Sequence, residues 1–193
     1  MKKLLLTALA LMVMVAAGAQ TVKEDIEASQ KRVAELKKLT AKAPKACGIA
    51  EFDNYAKKVN EVAQLVINNN DAISEYYYRQ LGLNKEGKED ASVQKPAMEE
   101  WLALGVAIGD EAVKMKNVKE SADAAAKKLQ ALSDEAKSAS NPMAKAKAAK
   151  QAKTGTDIIA YSADAMNILV EESAAQTKII AQLIDAVKNG KAL

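Results

Sequence analysis

The chain has no histidine, one cysteine, three prolines, eight glycines, and only seven aromatic residues: one Trp, one Phe and five Tyr. Without histidine there is no Ser–His or Cys–His nucleophile pair and no ordinary zinc site. The Glu-x-x-His signature of di-iron bundles is excluded as well. The glycines form neither G-x-G-x-x-G nor G-x-x-x-x-G-K, so the two common phosphate-cradling loops are missing. A lone Cys47 cannot close an internal disulfide, and it reads as a small buried apolar side chain. These absences leave no recognisable catalytic set, so the expectation is a protein that is not an enzyme and needs no cofactor or metal.

Long apolar runs are confined to the beginning, MKKLLLTALALMVMVAAGAQ. Lys2 and Lys3 make a positive n-region, Leu4 to Ala17 an apolar h-region, and Ala17-Gly18-Ala19 a small-residue cleavage site. That order is the pattern of a secretory signal peptide over 1–19, with 20–193 a single helical domain, periplasmic or secreted. No later stretch is long enough to cross a bilayer, which takes about 20 apolar residues. The 28 basic residues include Lys2 and Lys3, so the mature chain carries 26 against 25 acids, a net +1. Overall charge therefore selects no partner.

What remains is rich in Ala, Lys, Glu and Leu, with no alternating β-type pattern. Pro44, Pro96 and Pro142 divide it into four helical segments. The first opens on a Thr21–Glu24 capping box and carries Val22, Ile26, Ser29, Val33, Leu36 and Thr40 on one stripe. The second, about 51–81, carries Phe52, Tyr55, Val59, Val62, Val66, Asn69, Ile73 and Tyr76, and stops at Gly82. On this reading Asn69 faces the core, whereas Asn68 and Asn70 face out. Tyr76 lies on the seam, level with Trp101, and Tyr77 on its flank, while Tyr78 and Arg79 point toward solvent. The third helix starts near Pro96 and runs through Trp101, Leu104, Ile108, Glu111, Met115 and Val118 to Ala139; the fourth starts at Asn141-Pro142.

The expected fold is all-α: an antiparallel up-down bundle of about four helices. At ~1.5 Å per residue, helix 2 is about 45 Å long and helices 3 and 4 about 65 Å each. Helices 3 and 4 should thus form a long coiled-coil-like hairpin extending past helices 1 and 2. Residues 127–153 are the expected arm. They hold seven lysines, two acids and eight alanines, with no arginine and no aromatic. Thr154-Gly155-Thr156 lies at its root and reads as a hinge or break, because glycine weakens a helix interior.

Three features invite a functional reading. The arm lysines Lys127, Lys128, Lys137, Lys145, Lys147, Lys150 and Lys153 are the candidate binding residues, for a protein or another anionic envelope component. Nucleic acid is not expected, since nothing there stacks on bases. In outline the basic hairpin resembles the arms of periplasmic holdase chaperones of the Skp type, an architectural resemblance without their sequence motifs or β-rich body. It implies a chaperone-like or interaction role. The apolar stretch Trp101–Gly109 is expected to be a helix buried on two faces; the alternative is a membrane-active, pore-forming-like protein. A structural or adhesive surface protein is a third reading. Finally, Glu111 and Glu172 fall near core faces, where acids most often pair with lysine at a seam edge.

Overall fold

The structure, a computed structural model, describes residues 21–191 and 193; the expected signal peptide lies outside the described residues. It is an all-α bundle with four helices among the described residues: α1 (Val22–Thr40), α2 (Ala50–Gln80), α3 (Met98–Ser138) and α4 (Pro142–Lys188). The helix ends follow local chemistry. The Thr21 and Glu24 side chains satisfy each other's backbone N–H groups at 3.3 and 2.9 Å, closing the capping box. Gly82, at φ +73°, ends α2 in a Schellman motif, with Leu83 N–H donating to Tyr78 O and Gly82 N–H to Arg79 O. Asn141 caps α4 by accepting from Met143 N–H at 2.9 Å, leaving Pro142 as the first helical residue. α3 starts two residues later than Pro96 suggested. The Glu100 carboxylate reaches back to Ala97 N–H at 2.7 Å, which places the cap at Ala97.

The chain divides into two compact units. Unit 1 takes the described residues up to Ala34 and those within Leu65–Ala112 and Val170–Leu193; unit 2 takes Glu35–Gln64 and Val113–Leu169.

In unit 1, Ile26, Ile73, Tyr77, Trp101, Leu104, Ile108, Ile179, Ile180 and Leu183 form a buried cluster. The stripe residues point inward as expected, but α2 departs from the one-seam reading in a regular way. Asn70 was expected outside and is 2% exposed; Tyr77, expected on the flank, is buried more deeply than Tyr76. The reason is that α2 has two neighbours here. Asn69 and Tyr76 face α3, meeting Glu111 and, in a T-shaped contact, Trp101 (ring centroids 5.4 Å, planes at 86°). Asn70 and Ser74, one step round the helix, meet Ser29 and Gln30 of α1. Arg79 is not left to solvent either. It lies 5.3 Å over the Tyr76 ring and pairs with Glu100 at 3.1 Å.

In unit 2, Phe52, Tyr55, Val59, Val62, Val118, Ala125, Ile158, Tyr161 and Leu169 are buried. The Tyr161 hydroxyl donates to Asn60 Oδ1. Gly155 is neither hinge nor break, because α4 runs through it without interruption. Its role is steric: a Cβ there would fall within 3 Å of three Phe52 ring atoms. Glycine's cost to the helix is accepted because it admits the largest apolar side chain of this core.

Candidate functional site

The seven candidate lysines lie on the α3–α4 hairpin of unit 2. Six are exposed and Lys128 is half-buried. None of their side-chain ammonium groups has a hydrogen-bond or ion-pair partner among the described residues. On α4, successive 100° steps put Lys145, Lys153, Lys150 and Lys147 across an arc of roughly 200°. Buried Ala148 sits at the middle of the opposite side. From 127 to 153 only Leu132 and Ala148 are buried, which is what two helices packed through small side chains leave inside. The two acids do little to neutralise the stretch: Asp134 is held at 3.0 Å by Gln130, one turn earlier. Met143, beside the turn, is 82% exposed.

A second concentration of chemistry lies inside unit 1. Glu111 of α3 and Glu172 of α4 are both 0% exposed, so neither is a seam-edge acid. Glu172 pairs with Arg32 of α1 rather than with a lysine, Nε to Oε2 at 2.8 Å. Its other oxygen accepts from Ser29 Oγ and, at 3.0 Å, from Gln176 Nε2. Asn70 donates to Ser29 at 2.6 Å, and Gln176 Nε2 also reaches Val66 O at 2.9 Å. Glu111 accepts from Asn69 Nδ2 at 2.8 Å through Oε1, while its Oε2 has no partner among the described residues. Burial pushes the Glu111 carboxyl up to about 7, with nearby Glu172 adding to the effect and the polar groups of Asn69 and Ser173 opposing it.

Ser29, Asn69 and the two glutamates were visible as polar residues on apolar stripes. Arg32, Asn70 and Gln176 were not, because each lies beside its helix's stripe and enters the core only through a second helix contact. Among the described residues no three His, Cys, Asp or Glu side chains converge as a metal site.

The Trp101–Gly109 stretch is buried on one face, not two. Trp101, Leu104 and Ile108 point inward, whereas Leu102 and Val106 are 52% and 46% exposed. Its two glycines differ: Gly105 faces Ile180 and Ile184, and Gly109 has open space. No described helix is long and apolar enough to cross a membrane.

Cys47 is half-buried beside the start of α2, and burial raises its thiol pKa above the ordinary value. Asp53 accepts from the N–H groups of Cys47 and Gly48. An open groove of about 510 Å³ runs past this loop, between Pro44, Lys45, Ala56, Asn60, Gln64 and Ile158. Its charged side chains alternate in sign, and no nucleophile–base pair faces it.

No family model, curated protein or solved structure matches this chain significantly.

Proposed function

We propose that this is an exported protein of the bacterial envelope that acts by non-covalent binding, gripping an anionic partner with the 127–153 hairpin in a chaperone-like or interaction role. The observation that supports it is the set of seven lysine ammonium groups without a partner among the described residues, on a ribbon with almost no core of its own. Lysine is a compact, strongly hydrated point charge on a flexible stem. Fanned over a helix surface, lysines attract diffuse negative charge rather than one oriented group. An acidic segment of a partly folded protein fits that surface, and so does an anionic envelope polymer. Export rests on the 1–19 signal pattern, with cleavage near Ala19.

The test is suppression of aggregation of an acidic, slow-folding client, with Leu129–Thr154 replaced by a short turn in the comparison protein. Suppression by the parent and its loss in the deletion supports the reading. Equal suppression by the two proteins places the binding surface outside the hairpin.

The outward Leu102 and Val106 favour a second reading, a membrane-active protein that uses this face of α3. Dye leakage from vesicles, abolished by Leu102→Glu with Val106→Glu, would support it over the first.

A further inference from the structure

Glu111 and Glu172 are the two fully buried carboxyl groups of unit 1, and a guanidinium reaches only one of them. Arg32 is directed at Glu172, which also takes hydrogen bonds from Ser29 and Gln176. The surroundings of Glu111 are different. The cations nearby are engaged elsewhere: Arg32 of α1 pairs with Glu172, and Lys178 of α4 is closed on Asp25 at 2.7 Å. α2 presents the uncharged amide of Asn69. α4 presents Ser173 and the like-charged Glu172. One Glu111 oxygen is left with no partner among the described residues. An ionised Glu111 would be a desolvated charge, facing a second one, with no counter-ion.

We infer that Glu111 is a proton-binding site in the core of unit 1: the folded protein holds it as a neutral carboxylic acid, and loss of that proton loosens the packing of α3 against α2 and α4. The proton bound on folding makes this a pH-sensitive element. The acid's folded-state affinity for a proton exceeds its unfolded-state affinity, so the stabilisation is complete below the unfolded value of 4.5 and is lost as pH rises to about 7. Other shifted groups lie outside that window. Asp90, Glu100 and Asp185 are lowered below the ordinary carboxylate range, while Cys47, Tyr55, Tyr77 and Tyr161 are raised from thiol or phenol values.

The experiment is urea unfolding of the parent and of Glu111→Gln between pH 4.5 and 8. Gln keeps the neutral acid's shape and cannot ionise. The parent's unfolding constant should rise on the order of 100-fold across the interval, as a shift of this size dictates, while that of the variant stays nearly level. If the two profiles run parallel, the inference is overturned. Infrared spectra of the folded parent keep the question decidable should the variant not fold. A buried carboxylic-acid carbonyl band present at pH 5.5 and gone at pH 8.5 supports the inference, and its absence at pH 5.5 overturns it.

Discussion

The two units bury different things. Unit 1 hides Asp25, Ser29, Asn69, Asn70, Glu111, Glu172, Ser173 and Gln176, whereas the buried polar residues of unit 2 are only Ser121 and Ser162. Ser121 bonds back to carbonyls of its own helix and ties no second element. In unit 1 the polar side chains do tie elements: Asn70 and Ser29 join α2 to α1, Asn69 and Glu111 join α2 to α3, and Arg32 and Glu172 join α1 to α4. A layer of this kind resists slippage, because moving one helix by a turn leaves several buried donors and acceptors unpaired. Unit 2 specifies its packing by shape, through the Phe52 ring over Gly155 and the alanines of the hairpin, and places its charge on the outside. Register by hydrogen bond and register by shape thus occur in one chain of ordinary helix-forming residues.

The largest loss of stability is expected at Phe52. Phe52→Ala should cost about 4 kcal/mol by chemical denaturation, since a fully buried ring leaves a cavity over a glycine that cannot fill it. Gly155→Ala should also destabilise, by about 2 kcal/mol, through overpacking. Pairing it with Phe52→Leu should recover part of that loss. If Gly155→Ala is neutral alone, shape does not set the register of unit 2.

Next in size is Arg32→Met. It removes the counter-ion of a fully buried carboxylate, and should cost about 3 kcal/mol. The exposed pair Lys57–Glu61 provides the contrast, since Lys57→Met should change stability by no more than about 0.5 kcal/mol. Equal effects at the two lysine and arginine positions would mean that the polar layer contributes no more than a surface pair.

Smaller effects are expected along the tyrosine run of unit 1. Tyr77→Ala should cost about 3 kcal/mol, and Tyr78→Ala about 1 kcal/mol, following their relative burial. Tyr76 should fall between them, because its ring packs in a T-shaped contact with Trp101 and lies under Arg79.

Much of the fold was legible because helix periodicity is a local signal. The caps at Thr21, Gly82 and Asn141 depend on residues within one turn, and the apolar stripes on spacing alone. What went unread depends on how many neighbours each helix has. A heptad stripe describes one seam, and α2 in unit 1 has two, so Asn70 and Tyr77 turn inward although each lies a step off the stripe. Gly155 was misread for the same kind of reason, since the ring that demands it lies about a hundred residues away in sequence. The Arg32–Glu172 pair, separated by 140 residues, leaves no local trace of its partner choice. The candidate lysines were legible as composition, and their exposure follows from lysine's chemistry.

The smallest expected effect on stability is also the most direct test of binding. Replacing Lys145, Lys147, Lys150 and Lys153 together by Gln removes four cations from α4. All four are exposed, none of their ammonium groups has a partner among the described residues, and Gln is nearly as good a helix former as Lys. The unfolding free energy should therefore stay within about 0.5 kcal/mol of the parent, as for ordinary surface changes. Relief of repulsion among the lysines acts in the stabilising direction, so a large loss would mean that these side chains carry packing. Affinity for an acidic client or an anionic polymer should fall in the same variant. In the parent it should fall as salt is raised to about 0.5 M, where the Debye length drops well below the ~8 Å found at physiological ionic strength. The variant should show a shallower salt dependence, having fewer charges to screen. Unchanged affinity together with an unchanged salt slope would leave these four lysines as solvating groups on a helix surface and would move the search for the binding surface to the exposed face of α3.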